Sequence, residues 1–123
     1  MNTNYEEQEH YSVAYQDTKR QLWKLMREKR LLGLDLLIAE YLANHMDIKT
    51  GRIEVRATQM AEEMGVADGR VFQGMKRLRD EMLLTRGQKP TGYYWMLNPH
   101  YWSSGRQTLQ GKRIAAFNNL VND

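Results

Sequence analysis

Residues 57–84 read ATQMAEEMGVADGRVFQGMKRLRDEMLL, and the fold turns on them. The spacing predicts a short helix from about Thr58 to Met64 that buries Met60, Ala61 and Met64. Gly65 supplies the permissive backbone of a sharp turn, with Val66 as its apolar plug. A second helix is expected from about Asp68 to Met82. Val71, Met75, Leu78 and Met82 fall at i, i+4, i+7 and i+11, one narrow face at 100° per residue. The opposite face carries Gly69, Gln73, Lys76 and Asp80, with Arg70 and Arg77 beside them.

Downstream, Gly87-Gln88-Lys89-Pro90-Thr91-Gly92 holds two glycines and a proline, the composition of a turn. It separates Leu84–Arg86 from the aromatic Tyr93–Leu97, so the two read as a hairpin with a basic tip. Asn98-Pro99 stops the second strand. A last helix is expected over Thr108 to Leu120, with Leu109, Ile114, Phe117, Leu120 and Val121 as its apolar side.

Upstream, Arg52–Arg56 alternates polar and apolar, as a half-buried strand does, after a turn at Asp47–Gly51. Asp17 or Thr18 can cap a helix whose stripe is Leu22, Trp23, Leu25, Met26 and Arg30. A second amphipathic helix restarts beyond Gly33 with Leu34, Leu37, Ile38, Tyr41, Leu42 and His45, ending near Met46. Tyr11, Val13 and Tyr15 alternate as a short strand would. Three segments result: a flexible acidic N-terminus at 1–10, a core domain at 11–105, and a C-terminal helix at 106–123 that could serve dimerisation.

Composition narrows the functions available. The chain has 123 residues, 41% hydrophobic and 27% charged, which suits one globular domain. It has no cysteine, which excludes disulfides, thiol catalysis and cysteine-ligated zinc and fits the cytoplasm. No apolar run approaches the roughly 18 residues of a membrane span, and the acidic start is not a signal peptide. His10, His45 and His100 share no metal-ligand spacing, and neither a phosphate loop nor a nucleophile elbow occurs. The chain therefore reads as no enzyme, with no cofactor and no metal.

Charge is unevenly spread. Residues 1–18 hold four acids and no Lys or Arg, residues 19–30 hold six bases and one acid, and residues 66–92 hold six bases and three acids. Two basic blocks on a small domain would attract a phosphate backbone; solvated helix faces are the plainer account.

Helix, glycine turn, helix, basic-tipped hairpin is the order of a winged helix-turn-helix. The expected fold is mainly α with a small β wing, flanked by N- and C-terminal helices. The major groove of DNA, about 12 Å wide, admits one helix, whose N-terminal part meets base edges. Gln73 would pair with adenine and Arg70 or Lys76 with guanine. Gly69 would allow close approach, and Arg56, Thr58, Gln59 and Arg77 would take phosphates. Arg86 and Lys89 of the hairpin would lie along the backbone or in the minor groove. Against this, Arg56 and Ala67 stand where capping side chains are expected, and Gly69 and Gly74 each cost the helix about 1 kcal/mol relative to Ala. Tyr93, Tyr94, Trp95, Tyr101 and Trp102 could stack single-stranded bases, but packing of the wing is the commoner use. The methionines at 60, 64, 75 and 82 read as core filling.

The order from Tyr11 to Gly105 resembles the RepL-type replication proteins of Gram-positive plasmids and related phage proteins. The resemblance is carried by YSVAYQDTKRQLWKLM, LLIAEYLANHM, TGRIEV, the helix-turn-helix QMAEEMGVADGRVFQGMKRLRDEMLL and the ending YYWMLNPHYWSSG. It implies a plasmid- or phage-encoded winged-helix protein that binds double-stranded DNA at an origin or promoter without a catalytic site. The expectation is thus a sequence-specific DNA-binding protein, as a homodimer, in replication initiation or transcriptional regulation. The alternative is a winged-helix adaptor or inhibitor docking on a host replication or transcription protein.

Overall fold

The computed structural model describes residues 18–102 and 107–122, the side chains of 107–110 excepted. The acidic segment 1–10, the strand expected at Tyr11–Tyr15, the cap at Asp17 and the Leu109 side chain lie outside the described residues. Helix α1 covers 18–27, followed by α2 Gly33–Asn44, α3 Ala57–Met64 and α4 Asp68–Asp80. Strands β1 Leu84–Lys89 and β2 Gly92–Leu97 form an antiparallel hairpin, and α5 spans Gln107–Asn122. This is a mainly helical, winged-helix arrangement with a C-terminal helix, as the sequence order predicts.

The helix-turn-helix forms for the expected reasons. Gly65 ends α3 in the left-handed conformation at φ 70°, where any side chain would be strained. Its amide and that of Val66 donate to the carbonyls of Glu62 and Ala61. Neither α3 nor α4 has a side-chain cap, since Arg56 and Ala67 hold those positions. The two helices are held instead by packing: Met60, Ala61, Val71, Met75 and Leu78 are buried together with Ile38, Leu42, Ile53 and Leu84. Met64 packs half-buried against that core.

Several expected positions move. Trp23 is 57% exposed, and Leu22, Leu25 and Met26 alone carry α1 onto the core. On α2 the buried stripe is Asp35, Ile38, Ala39 and Leu42, which turns Leu37 outward, and the helix ends at Asn44. Met46 then leaves the helix to bridge Ile53. The strand expected at Arg52–Arg56 reduces to Ile53, which exchanges two 2.8 Å backbone hydrogen bonds with Trp95 of β2. Met82 is half exposed, not the end of the α4 stripe. The helix stops at Asp80, and Met82 turns left-handed at φ 61°. The Leu83 amide donates back to the Leu78 carbonyl at 2.8 Å, and the Asn98 side-chain amide donates to the Met82 carbonyl at 2.9 Å. That turn delivers Leu83 and Leu84 to the core in place of Met82.

The hairpin is also longer than its composition suggests. Leu84 pairs with Leu97, Arg86 with Trp95 and Lys89 with Gly92, leaving Pro90 and Thr91 as the turn. Gly87 therefore lies within β1, not in a turn. It faces Tyr94, whose ring occupies the space a Cβ at position 87 would need. Both faces of the hairpin are covered. Leu84, Trp95 and Leu97 join the main core. On the other face Tyr94 and Met96 are buried, and α5 packs on β1 with Arg113 and Phe117 buried. A strand covered on both faces loses the alternation of a half-buried one.

Candidate nucleic-acid interface

Helix α4 is the element a duplex would meet, and α2 sets its position. Gly74 faces α2 so closely that a Cβ there would stand 2.5 Å from Ile38 Cδ1 and 2.8 Å from Asp35 Oδ1. The glycine that costs α4 its intrinsic propensity thus serves helix–helix packing. Beside it, Asp35 is 0% exposed. It accepts from Arg77 Nε at 2.7 Å, from a second guanidinium nitrogen at 2.9 Å, and from the Leu32 amide at 2.8 Å. The last of these satisfies an orphan donor where α2 begins. The hydrogen bonds to Asp35 hold the Arg77 pKa above its ordinary value. The end of α4 is fixed by a second bidentate pair, in which Arg30 donates to Glu81 at 2.9 and 2.7 Å.

Those ties decide which expected residues face a ligand. Gly69, Arg70, Gln73 and Lys76 are exposed on α4, and none of the three side chains bonds to another described residue. Thr58 and Gln59 are exposed at the start of α3, with Arg56 just before it. Arg77, expected on a phosphate, is engaged with Asp35 and keeps 29% of its side chain exposed. Lys89, expected at a basic tip, pairs with Glu54. Arg86 is in mid-strand, its guanidinium 5.2 Å from the Tyr93 ring centroid and 5.9 Å from that of Trp95.

Two residues of this surface escaped the sequence reading. Arg79 lies 5.8 Å from the Trp95 centroid, so one indole carries guanidinium groups from both α4 and β1. Each such contact contributes about 0.5–1 kcal/mol at an exposed site and holds the charge in place without neutralising it. Phe72 is 56% exposed. The signal was present: Phe72, Lys76 and Arg79 fall at i, i+4 and i+7, a stripe beside the outward face. Among the five aromatics considered for stacking, Tyr94 and Trp95 are buried, Tyr101 and Trp102 pack half-buried on the core, and Tyr93 is exposed.

The surface is therefore rich in cations. Arg56 before α3, Arg70, Lys76 and Arg79 of α4, and Arg86 of the wing are all exposed, Arg70 and Arg79 on opposite flanks of the α4 outer face, and none of these has an acidic partner among the described residues. Also among the described residues, no group of three or more His, Asp or Glu is placed to hold a metal ion. No described helix is long and apolar enough to cross a membrane. Comparison of the chain with protein-family models, with curated proteins and with solved structures finds no match in any of the three.

Proposed function

We propose that this protein binds double-stranded DNA sequence-specifically, with α4 in the major groove and Arg86 of the wing on the neighbouring backbone. The observation that carries this is the exposed face of α4, where Arg70, Gln73 and Lys76 stand free of protein partners. Side chains able to form bidentate bonds with base edges are thus left unused by the fold. The resemblance to RepL-type proteins supplies the setting, replication initiation or transcriptional regulation for a plasmid or phage. The exposed Trp23 of α1 favours a homodimer, which would set two α4 helices on a two-fold site.

A salt series of binding to random-sequence duplex, with single-stranded DNA alongside, tests the reading. Arg56, Arg70, Lys76, Arg79 and Arg86 are available for phosphates, whereas Arg77 and Lys89 already have carboxylates. If these five alone reach phosphates, about 0.9 per neutralised phosphate gives a slope of log affinity against log salt of about −4.5. A slope near −6 would mean that further cations reach phosphates, either Arg77 and Lys89 leaving their carboxylates or basic residues of the 19–30 block. Absence of duplex binding at low salt would refute the proposal and give the winged helix to a protein partner.

A further inference from the structure

Phe72 is the anomaly on the α4 surface. A phenyl ring is 56% exposed on a helix whose buried stripe is already complete with Val71, Met75 and Leu78. Its neighbours at i±3, i±4 and i+7 on the exposed side are Asp68, Gly69, Lys76 and Arg79. Of these, Lys76 and Arg79 are basic, Asp68 is acidic and none is a large apolar residue, so this helix face is not the contiguous apolar patch that marks a protein-docking face. Gly69, one turn before it, has no heavy atom within 4 Å of the position its Cβ would take. Gly69 thus leaves an open notch at its place on the helix, and Phe72, Gln73 and Lys76 follow it at i+3, i+4 and i+7 on the same face.

The charge around that notch suits a polyanion, and one polyanion carries an apolar group at this depth. In the major groove each base pair presents donors and acceptors, and only thymine adds a 5-methyl group. We infer that Phe72 is a specificity-determining residue that reads a thymine 5-methyl group, seated between its ring and the Gly69 backbone. The inference rests on the DNA-binding reading above. Gln73, its chain neighbour, has the donor–acceptor pair that matches adenine, so the contacted thymine should lie beside an A·T pair read by Gln73.

The test removes the methyl and nothing else. Binding sites are selected with the full chain from a random duplex pool, and each thymine of the preferred site is replaced in turn by deoxyuridine. Burial of one methyl predicts about fourfold weaker binding at one or two positions. Phe72→Ala should bind the thymine and deoxyuridine forms equally, and Phe72→Leu should keep part of the difference. Phe72 is exposed, so both variants should melt like the parent, which a circular-dichroism melt checks. Uniform tolerance of deoxyuridine by the parent overturns the inference while leaving sequence-specific binding intact. A methyl preference that survives in Phe72→Ala overturns it as well. If the pool yields no preferred site, the DNA-binding reading fails and the inference falls with it.

Discussion

Removing Arg77 should cost this fold more than removing Asp35, although both changes break the same ion pair. Asp35→Ala deletes two charge-assisted hydrogen bonds and the acceptor of the Leu32 amide. The Arg77 side chain is 29% exposed, however, so its guanidinium can turn to water. The loss should be about 3 kcal/mol, near the lower end for a broken buried pair. Arg77→Ala instead leaves a carboxylate that is 0% exposed in the native fold without its counter-charge, with the Leu32 amide as its remaining donor. That cost should be about 4 kcal/mol. The double variant removes the stranded charge and should be no worse than Arg77→Ala alone, giving a coupling energy of about 3 kcal/mol. Urea denaturation followed by helical circular dichroism measures all three, with the Asp35→Ala midpoint in a thermal scan falling by roughly 10 °C for a chain of this length. Additive losses, or an Arg77→Ala variant milder than Asp35→Ala, would show that the pair is not the clamp between α2 and α4.

Two further outcomes follow from particular side chains. Gly69 and Gly74 are both helical, yet Gly69→Ala should stabilise α4 by about 0.5–1 kcal/mol, because its Cβ meets nothing within 4 Å. Gly74→Ala should destabilise by about 1–3 kcal/mol through its collision with Ile38 and Asp35; equal effects in a melt would refute the packing role. At alkaline pH, desolvation first and then the hydrogen bond to Glu63 push the Tyr41 pKa up to about 12. The folded state therefore holds its proton longer than the unfolded one, whose value is near 10. The resulting stability is complete below pH 10 and is lost as pH rises from 10 to 12. Burial also raises the Tyr101 pKa, so phenolate absorbance should show a late-titrating component that shrinks in Tyr41→Phe; an unchanged amplitude in that variant would assign it elsewhere.

How much of this was legible depends on whether a residue's role was local. The Gly65 turn, the stripe Val71–Met75–Leu78 and the hairpin order follow from conformational preference and period, and the structure contains them. Met82 continued the same period, but the chain had to turn where Asn98 holds the Met82 carbonyl, sixteen residues away. Tyr93–Leu97 read as an aromatic strand of the hairpin, but that both its faces are covered was not legible, because the helix that covers the second face comes after it in sequence. The basic residues were hardest to sort. Arg77 and Arg79 are near neighbours of one charge on one helix. Only the burial of Asp35, an acidic residue that apolar periodicity leaves out of α2's inner face, separates the structural arginine from the available one.

Helix α4 has no side-chain cap and two glycines, so its own sequence supports it poorly. Its conformation is imposed from α2 by Asp35 and from the α1–α2 junction by Arg30, one on its last turn and one just past its end. Neither tie touches the face bearing Gly69, Phe72, Gln73 and Lys76. The N-terminal half of α4, where base contacts fall in a helix-turn-helix, therefore carries few structural duties. Its exposed side chains can change without loss of the fold, while Gly74, Arg77 and Leu78 hold the helix against the core. Arg86, fixed over Trp95 together with Arg79, ties the wing's one available cation to the same helix. A duplex contacting α4 and the wing would thus meet a single preset surface rather than two elements that must be brought together on binding.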